Sequence, residues 1–134
     1  PSNFELNALK LLEFNNILAK DILLPVISRN NLMNFFSWKK GEVLFVNEFG
    51  ILEPAKTQVK IPDIVLIPML AFDKEKYRLG YGKGFYDRYL NKYLKQRKNI
   101  LTVGVAFSFQ RHHKLPISQN DVKLDFIITE KGIY

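Results

Sequence analysis

The sequence of 134 residues contains no cysteine, and this absence excludes several kinds of chemistry at once. Without cysteine the chain cannot form a disulfide, bind a metal through thiolates or use a cysteine nucleophile. Long hydrophobic runs are missing too, because no apolar run approaches the roughly eighteen residues that a membrane-spanning helix needs. Residues 1–5 have neither the basic nor the apolar character of a secretory leader. We therefore expect a soluble, cytoplasmic protein without a membrane partner.

Positive charge is concentrated in one part of the sequence. The chain has a formal net charge of +7, and the segment 74–98 carries nine basic residues against two acidic ones. Outside this segment the charges balance. Six tyrosine and phenylalanine residues are interleaved with the basic ones, which suits a polyanionic ligand. An ordinary solvated helix face explains the same pattern equally well.

Apolar patterns predict alternating helices and strands. Spacings of three and four residues predict an amphipathic helix over 6–18 and a second helix that begins near Lys83. Short apolar runs predict strands at 22–27, 32–36, 42–46, 63–68, 100–107 and 125–129. Prolines bound the run 63–68, so we expect a central parallel strand covered on both faces. The chain is predicted to be a single α/β domain over 1–134, three-layered and Rossmann-like, with a mostly parallel sheet flanked by helices.

The segment between the predicted strand at 63–68 and the next helix is the first candidate for chemistry, because ligands of such sheets bind beyond the carboxyl ends of strands. Gly80, Gly82 and Gly84 let the backbone bend sharply and bring its N–H groups close to a ligand. A turn that leads into a helix N-terminus can bind phosphate in this way. Arg78 and Lys83 add charge where a transferring phosphoryl group needs it. A plain glycine turn with two solvated charges is the alternative.

Two common phosphate motifs do not fit this loop. The P-loop requires Ser or Thr after its lysine, whereas Gly84 follows Lys83. The dinucleotide fingerprint requires a third glycine at position 85, which is Phe85. The spacing therefore predicts phosphate binding without naming a nucleotide.

Asp87 lies in the first turn of the second predicted helix, where a carboxylate also complements the helix dipole. Magnesium usually takes one or two carboxylates together with substrate phosphates, so Asp87 is a candidate metal ligand if a second acid approaches. Asp121 and Asp125 are the candidates for that second acid, although Asp125 also fits the start of a strand. His112 and His113 have no predicted role.

These motifs together resemble the 5-formyltetrahydrofolate cyclo-ligase family. The resemblance lies in the runs 63–73, 77–90, 115–125 and 128–130, and upstream in Glu5 and in the run 50–54. It covers essentially the whole chain, and the run 77–90 is highly specific. The resemblance implies conversion of 5-formyltetrahydrofolate and ATP, with Mg²⁺, into 5,10-methenyltetrahydrofolate, ADP and phosphate. In that reaction the γ-phosphate goes to the formyl oxygen, N10 closes the ring and phosphate leaves.

The resemblance also implies roles for individual residues. Arg78 and Lys83 would be catalytic, and Asp87 and Asp121 would hold Mg²⁺. The ATP site would comprise Arg78, Leu79, Gly80, Tyr81, Gly82, Lys83, Gly84, Phe85 and Tyr86. The folate would contact Glu5, Tyr81, Gly82, Lys83, Gly84 and Phe85.

Members of the family carry an N-terminal helix and strand before the position of Glu5, with basic residues that bind ATP phosphates. We therefore expect this chain to be a monomeric fragment whose activity is weak or absent unless a separate N-terminal segment is supplied. An inactive ATP- or folate-binding remnant of the family is the second interpretation. A nucleic-acid binder is the third, but a glycine-rich loop with paired acids suits a metal nucleotide better. We expect no nucleic-acid partner.

Overall fold

The computed structural model describes residues 21–28, 30–96 and 99–134. These residues divide into two compact units, the first ending at Pro62 and the second covering Asp63–Tyr134. The helix predicted over 6–18 and Glu5, the residue predicted to contact the folate, lie outside the described residues. A single domain over 1–134 stays a prediction. Within the described ranges, no helix is long and apolar enough to cross a membrane.

The first unit is built from antiparallel pairs. β1 (Ile22–Ile27) pairs with β2 (Met33–Trp38), and β2 pairs with β5 (Val59–Lys60). A separate pair joins β3 (Phe45–Val46) to β4 (Leu52–Glu53). The short connection between β1 and β2 dictates this direction, because a parallel pair needs a crossover of a dozen or more residues. The strands predicted here are confirmed, but the one predicted over 42–46 shrinks to β3.

The described part of the second unit contains a four-stranded sheet, a three-stranded sheet, one α-helix and a short 3-10 helix over Ser108–Gln110. Its elements are β6 (Ile64–Pro68), β7 (Ala71–Asp73), β8 (Arg78–Leu79), α1 (Phe85–Lys95), β9 (Leu101–Val105), β10 (Arg111–His112), β11 (Phe126–Thr129) and β12 (Gly132–Ile133). The larger sheet has the order β12-β11-β9-β6, with β6, β9 and β11 parallel and β12 antiparallel. The smaller sheet has the order β10-β7-β8 and is also mixed.

One face of the larger sheet is tightly packed. Val65, Ile67 and Ile127 are buried on it. Gly104 lies on the same face, because it is in register with both Ile67 and Ile127. A Cβ atom at Gly104 would lie 2.4 Å from Met69 Cε, so a larger residue there would force the tip of this side chain to move.

The opposite face of the larger sheet carries large apolar side chains that are exposed, on inner as well as end strands. They are Ile64, Leu66, Leu101, Phe126, Ile128 and Ile133. At the centre of this face Val103 and Val105 are buried. Within the described residues, the sheet is therefore tightly packed on one face and partly open on the other.

The α/β fold is confirmed, but the mostly parallel sheet is not, because the sheets in the described part of the chain are mixed. The three-layer, Rossmann-like arrangement stays a prediction. The prediction of a central strand at 63–68 is wrong for the described residues: β6 is an end strand of its sheet, and Ile64 is 58% exposed. A short apolar run cannot distinguish a strand with two covered faces from one with a single covered face.

Candidate active site

A small hairpin connects β6 to the glycine-rich loop, where the sequence predicted only a loop. β7 and β8 pair antiparallel, with Ala71 opposite Leu79 and Phe72 opposite Arg78. Leu70 extends the pairing, because its N–H donates to the Leu79 carbonyl at 2.8 Å. The hairpin fixes the point at which the chain enters the glycine-rich loop.

Buried Asp73 holds the turn of this hairpin. Its Oδ1 accepts the N–H groups of Glu75 (2.9 Å) and Tyr77 (3.1 Å), and its Oδ2 accepts the N–H of Leu115 at 3.1 Å. Within the turn Lys76 has a left-handed φ of 68°. A carboxylate that accepts several backbone N–H groups satisfies donors that the tight turn leaves unpaired. Asp73 therefore sets the geometry that precedes Arg78.

The glycine-rich loop, residues 80–84, uses two of its three glycines for backbone conformation. Gly82 has φ 82° and Gly84 has φ 61°, both in the left-handed region that favours glycine. Gly84 is also the N-cap of α1. Arg88 Nη1 donates to the Lys83 carbonyl at 2.7 Å and ties the end of the loop to the first turn of the helix. The loop thus turns sharply into a helix N-terminus, as its spacing predicted, and the Lys83 and Tyr81 side chains are exposed.

Arg78 does not point into solvent. Its Nη2 donates to Asp87 Oδ2 at 2.7 Å, and the two side chains are 6% and 17% exposed. The guanidinium also lies 5.5 Å from the centre of the Tyr86 ring, and its buried Nε has no hydrogen-bond partner among the described residues. Arg78 and Asp87 thereby join the hairpin to α1.

The loop that contains Asp121 is bound to α1 beside Asp87. The Val122 N–H donates to Asp87 Oδ1 at 3.2 Å, and Asn91 Nδ2 donates to the Asn120 carbonyl at 2.7 Å. Asp121 Oδ2 accepts the Ser118 N–H at 2.7 Å, which closes its own turn. The structure therefore brings the two predicted metal ligands to one region.

Asp125 has a different role from Asp121. Its Oδ2 accepts both the N–H (2.8 Å) and the Oγ1–H (2.7 Å) of Thr102, and its own N–H donates back to Thr102 Oγ1 at 2.9 Å. This exchange fixes the start of β11 against β9. Asp125 thus matches the interpretation that it begins a strand, rather than that of a second metal ligand.

Asp87 and Asp121 supply carboxylates of the kind that magnesium binds, but Asp87 Oδ1 already accepts the Val122 N–H and Asp121 Oδ2 already accepts the Ser118 N–H. Two carboxylates completed by substrate phosphates are a donor set that magnesium accepts. In the part of the chain that the structure describes, no group of three or more His, Asp or Glu side chains is suited to a metal. One oxygen of Asp87 is paired with Arg78, so a cation bound there would share this carboxylate with the guanidinium.

Comparison with known proteins places these features in a family. The family model described as the 5-formyltetrahydrofolate cyclo-ligase family matches residues 2–130. The chain belongs to this family.

Curated relatives within the cyclo-ligase family are longer than the region in which they match this chain. The chain is 31% identical over 130 residues to a probable 5-formyltetrahydrofolate cyclo-ligase of Schizosaccharomyces pombe, covering 86% of this chain and 64% of the relative. It is 34% identical over 125 residues to the 5-formyltetrahydrofolate cyclo-ligase of Escherichia coli K12, covering 87% of this chain and 66% of the relative. The chain thus spans about two thirds of the length of these curated relatives.

Solved structures of the family share the fold. A 5,10-methenyltetrahydrofolate synthetase from Aquifex aeolicus matches with a TM-score of 0.74 and 34% identity, over 99% of this chain and 66% of that one. The enzyme of the same name from Mycoplasma pneumoniae matches with a TM-score of 0.61 and 29% identity, over 90% of this chain and 60% of that one. The second of these likenesses is weaker, but both cover nearly all of this chain.

Two residues that support the glycine-rich loop of this cyclo-ligase family member were not predicted from its sequence. Asp73 and Gln110 are buried polar side chains, and each bonds to backbone groups of two or more residues. Asp73 directly follows an apolar run, and this position was the sequence signal that could have identified it as a supporting residue. His112 and His113 are exposed and still have no role.

Proposed function

We propose that this chain carries out, or supplies most of the site for, ATP-dependent conversion of 5-formyltetrahydrofolate into 5,10-methenyltetrahydrofolate. In this reaction ATP phosphorylates the formyl oxygen, N10 attacks the activated carbon, and ADP and phosphate are released. The family match over residues 2–130 carries the proposal. The sharp turn of Gly82 and Gly84 into α1 supports the proposal, because a turn that leads into a helix N-terminus can bind phosphate through its backbone N–H groups.

In this proposal the exposed Lys83 and the amides of residues 80–84 bind the phosphates of ATP. Phosphoryl transfer depends mainly on positioning and on neutralising charge, so the site needs no protein nucleophile. Arg78 is buried against Asp87, so its first contribution is to hold this carboxylate in place. Asp87 and Asp121 would hold Mg²⁺, which would neutralise phosphate charge. Glu5 and the loop residues 81–85 would contact the folate.

The proposal extends to location and partners. We expect a cytoplasmic monomer that acts on 5-formyltetrahydrofolate and ATP and does not bind nucleic acid. We also infer that an N-terminal helix and strand of the family type, added to these 134 residues as a separate segment, raises their turnover.

The test is an assay of methenyl-folate absorbance with 5-formyltetrahydrofolate and MgATP, in the presence and absence of an N-terminal segment from a relative. We expect ATP-dependent product that Lys83→Ala lowers about 100-fold, since removing one charge-stabilising donor costs about that much. Lys95→Ala, in the last turn of α1, is the matched control and should leave the rate unchanged.

Three results would change the proposal. Binding of ATP or the folate without product, even with the added segment, would identify an inactive remnant of the family. A rate that the added segment does not change would contradict a contribution from that segment. Product formation that Lys83→Ala does not change would remove Lys83 from the site.

A further inference from the structure

The turn after β9 presents two stacked phenylalanine rings. The ring centres of Phe107 and Phe109 are 5.5 Å apart, and their planes differ by 9°. Phe107 is 40% exposed and Phe109 is 80% exposed, so the outer ring offers an open aromatic face. Single exposed aromatic side chains are common on protein surfaces. The way the backbone holds this pair, and the place of the pair in the fold, therefore decide whether it is a binding surface.

Hydrogen bonds on both sides hold the backbone of this turn. The Phe107 N–H donates to Gln110 Oε1 at 2.7 Å, and the Gln110 N–H donates to the Phe107 carbonyl at 3.0 Å. The Ser108 N–H donates to Glu130 Oε2 at 2.8 Å, and the Ser108 hydroxyl donates to the other oxygen of Glu130. The rings are therefore carried by a fixed frame, and a ligand that stacks on them orders little backbone on binding.

The aromatic turn lies at the edge of the larger sheet where its parallel strands end. Val105, the last residue of β9, is in register with Pro68, the last residue of β6. Both strands are parallel, so the segments that follow them leave the sheet at the same edge, where ligands of such sheets bind.

The aromatic turn and the glycine-rich loop also share a support. Gln110 Nε2 donates to the Met69 and Leu70 carbonyls at 2.9 and 3.0 Å. The Leu70 N–H donates in turn to the Leu79 carbonyl at 2.8 Å, and Leu79 is directly followed by Gly80. One residue, Leu70, thus contacts the frame of the aromatic pair and the entry to the loop.

We propose that Phe107 and Phe109 form a stacking platform for a planar nitrogen heterocycle whose anionic part lies on the glycine-rich loop. Heteroaromatic rings stack on phenylalanine faces irrespective of their hydrogen-bonding pattern, and such contacts contribute substantially to the affinity for nucleotides. ATP and the folate each combine a planar heterocycle with anionic groups. The choice between adenine and pterin rests on the proposed function, whereas the stacking platform itself rests on the geometry.

Calorimetric titration of the chain with MgATP, 5-formyltetrahydrofolate and magnesium triphosphate separates ring binding from phosphate binding. Phe109→Ala is expected to weaken one of the two ring ligands about 5- to 100-fold, the loss that follows removal of a stacking partner. Inorganic triphosphate, which has no ring, should bind as it does to the unmodified chain. Phe109→Tyr keeps the aromatic face and should restore the lost affinity.

Phe126→Ala is the matched control. Phe126 is an exposed phenylalanine in the same unit, but it begins β11 at the amino end of the parallel strands. It should change none of the three affinities.

A loss for MgATP alone assigns the platform to adenine, and a loss for the folate alone assigns it to the pterin. Unchanged binding of both ring ligands to Phe109→Ala, an equal loss for triphosphate, or absence of ring-ligand binding to the unmodified chain overturns the platform. Ring binding that depends on Phe109, in a chain that gives no product even with the added N-terminal segment, would refute the proposed activity and leave the platform standing.

Discussion

Arg78 Nη2 lies 2.7 Å from Asp87 Oδ2, in an ion pair whose side chains are both largely buried. Removing one partner of such a pair leaves the other charge without compensation, which costs about 3–5 kcal/mol. We expect Asp87→Ala to lower the free energy of unfolding by this amount in urea denaturation. The double variant Arg78→Met/Asp87→Leu should recover most of the loss, because an apolar pair replaces both charges.

The exposed pair of Lys60 and Asp21, 3.2 Å apart, is the control for this experiment. Surface ion pairs contribute about 0–1 kcal/mol, so Asp21→Ala should change the stability little. A double variant as unstable as Asp87→Ala would show that the cost does not arise from an uncompensated charge.

Gly82 and Gly50 offer a matched pair of left-handed glycines. Their φ angles are 82° and 73°, and a Cβ atom at either would meet nothing within 4 Å. Alanine should therefore cost about 1–2 kcal/mol of stability at each position through backbone strain alone. We expect only Gly82→Ala to weaken MgATP binding as well, because Gly50 lies outside the glycine-rich loop. Equal losses of affinity in both variants, measured by calorimetry, would contradict a role of the loop in nucleotide binding.

Asp73 accepts three backbone N–H groups. In Asp73→Asn one of the accepting oxygens becomes an NH₂ group, so at least one buried N–H is left without an acceptor at a cost of about 1–3 kcal/mol. Urea denaturation should show this loss, and amide exchange should rise at Glu75 and Tyr77 or at Leu115. Asp63→Asn, at an exposed carboxylate, should change neither. Unaltered exchange at all three amides would show that Asp73 does not hold the turn.

The Glu130 carboxylate is expected to respond to pH. The hydrogen bond from the Ser108 hydroxyl, followed by that from the Ser108 N–H, lowers the pKa of Glu130 below its ordinary value of 4.5. Because the pKa of Glu130 is lowered in the folded state, the hydrogen bonds from Ser108 contribute their full stability at pH values above the ordinary pKa. This contribution is lost as the pH falls through the lower pKa of the folded state. An NMR titration of the Glu130 side chain should show this pKa. Ser108→Ala should raise it part of the way, whereas a Glu130 that titrates at 4.5 in both proteins would exclude the bond in solution.

The sequence predicted the elements that depend on local pattern. The helix over Phe85–Lys95 and the turn through Gly82 and Gly84 follow from the four-residue apolar period and from glycine chemistry. The position of β6 at the end of the described sheet did not follow, because its neighbours are set by distant residues such as Val103. The sequence also did not predict the ion pair between Arg78 and Asp87, because only the hairpin brings the guanidinium beside this carboxylate. From the sequence, Asp87 was interpreted as a metal ligand or as a charge that complements the helix dipole.

The exposed apolar side chains on the open face of the larger sheet should make the molecules associate as the protein concentration rises, so every measurement on the protein should depend on its concentration. Exposed apolar patches at sheet edges favour association between molecules. The exposed side chains of Ile64, Leu66 and Phe126 should therefore bind a fluorescent apolar dye in the folded state and raise light scattering with concentration. Leu66→Lys, on the same face, should reduce both effects without loss of helix content, so this strand position is the one to alter for work in concentrated solution.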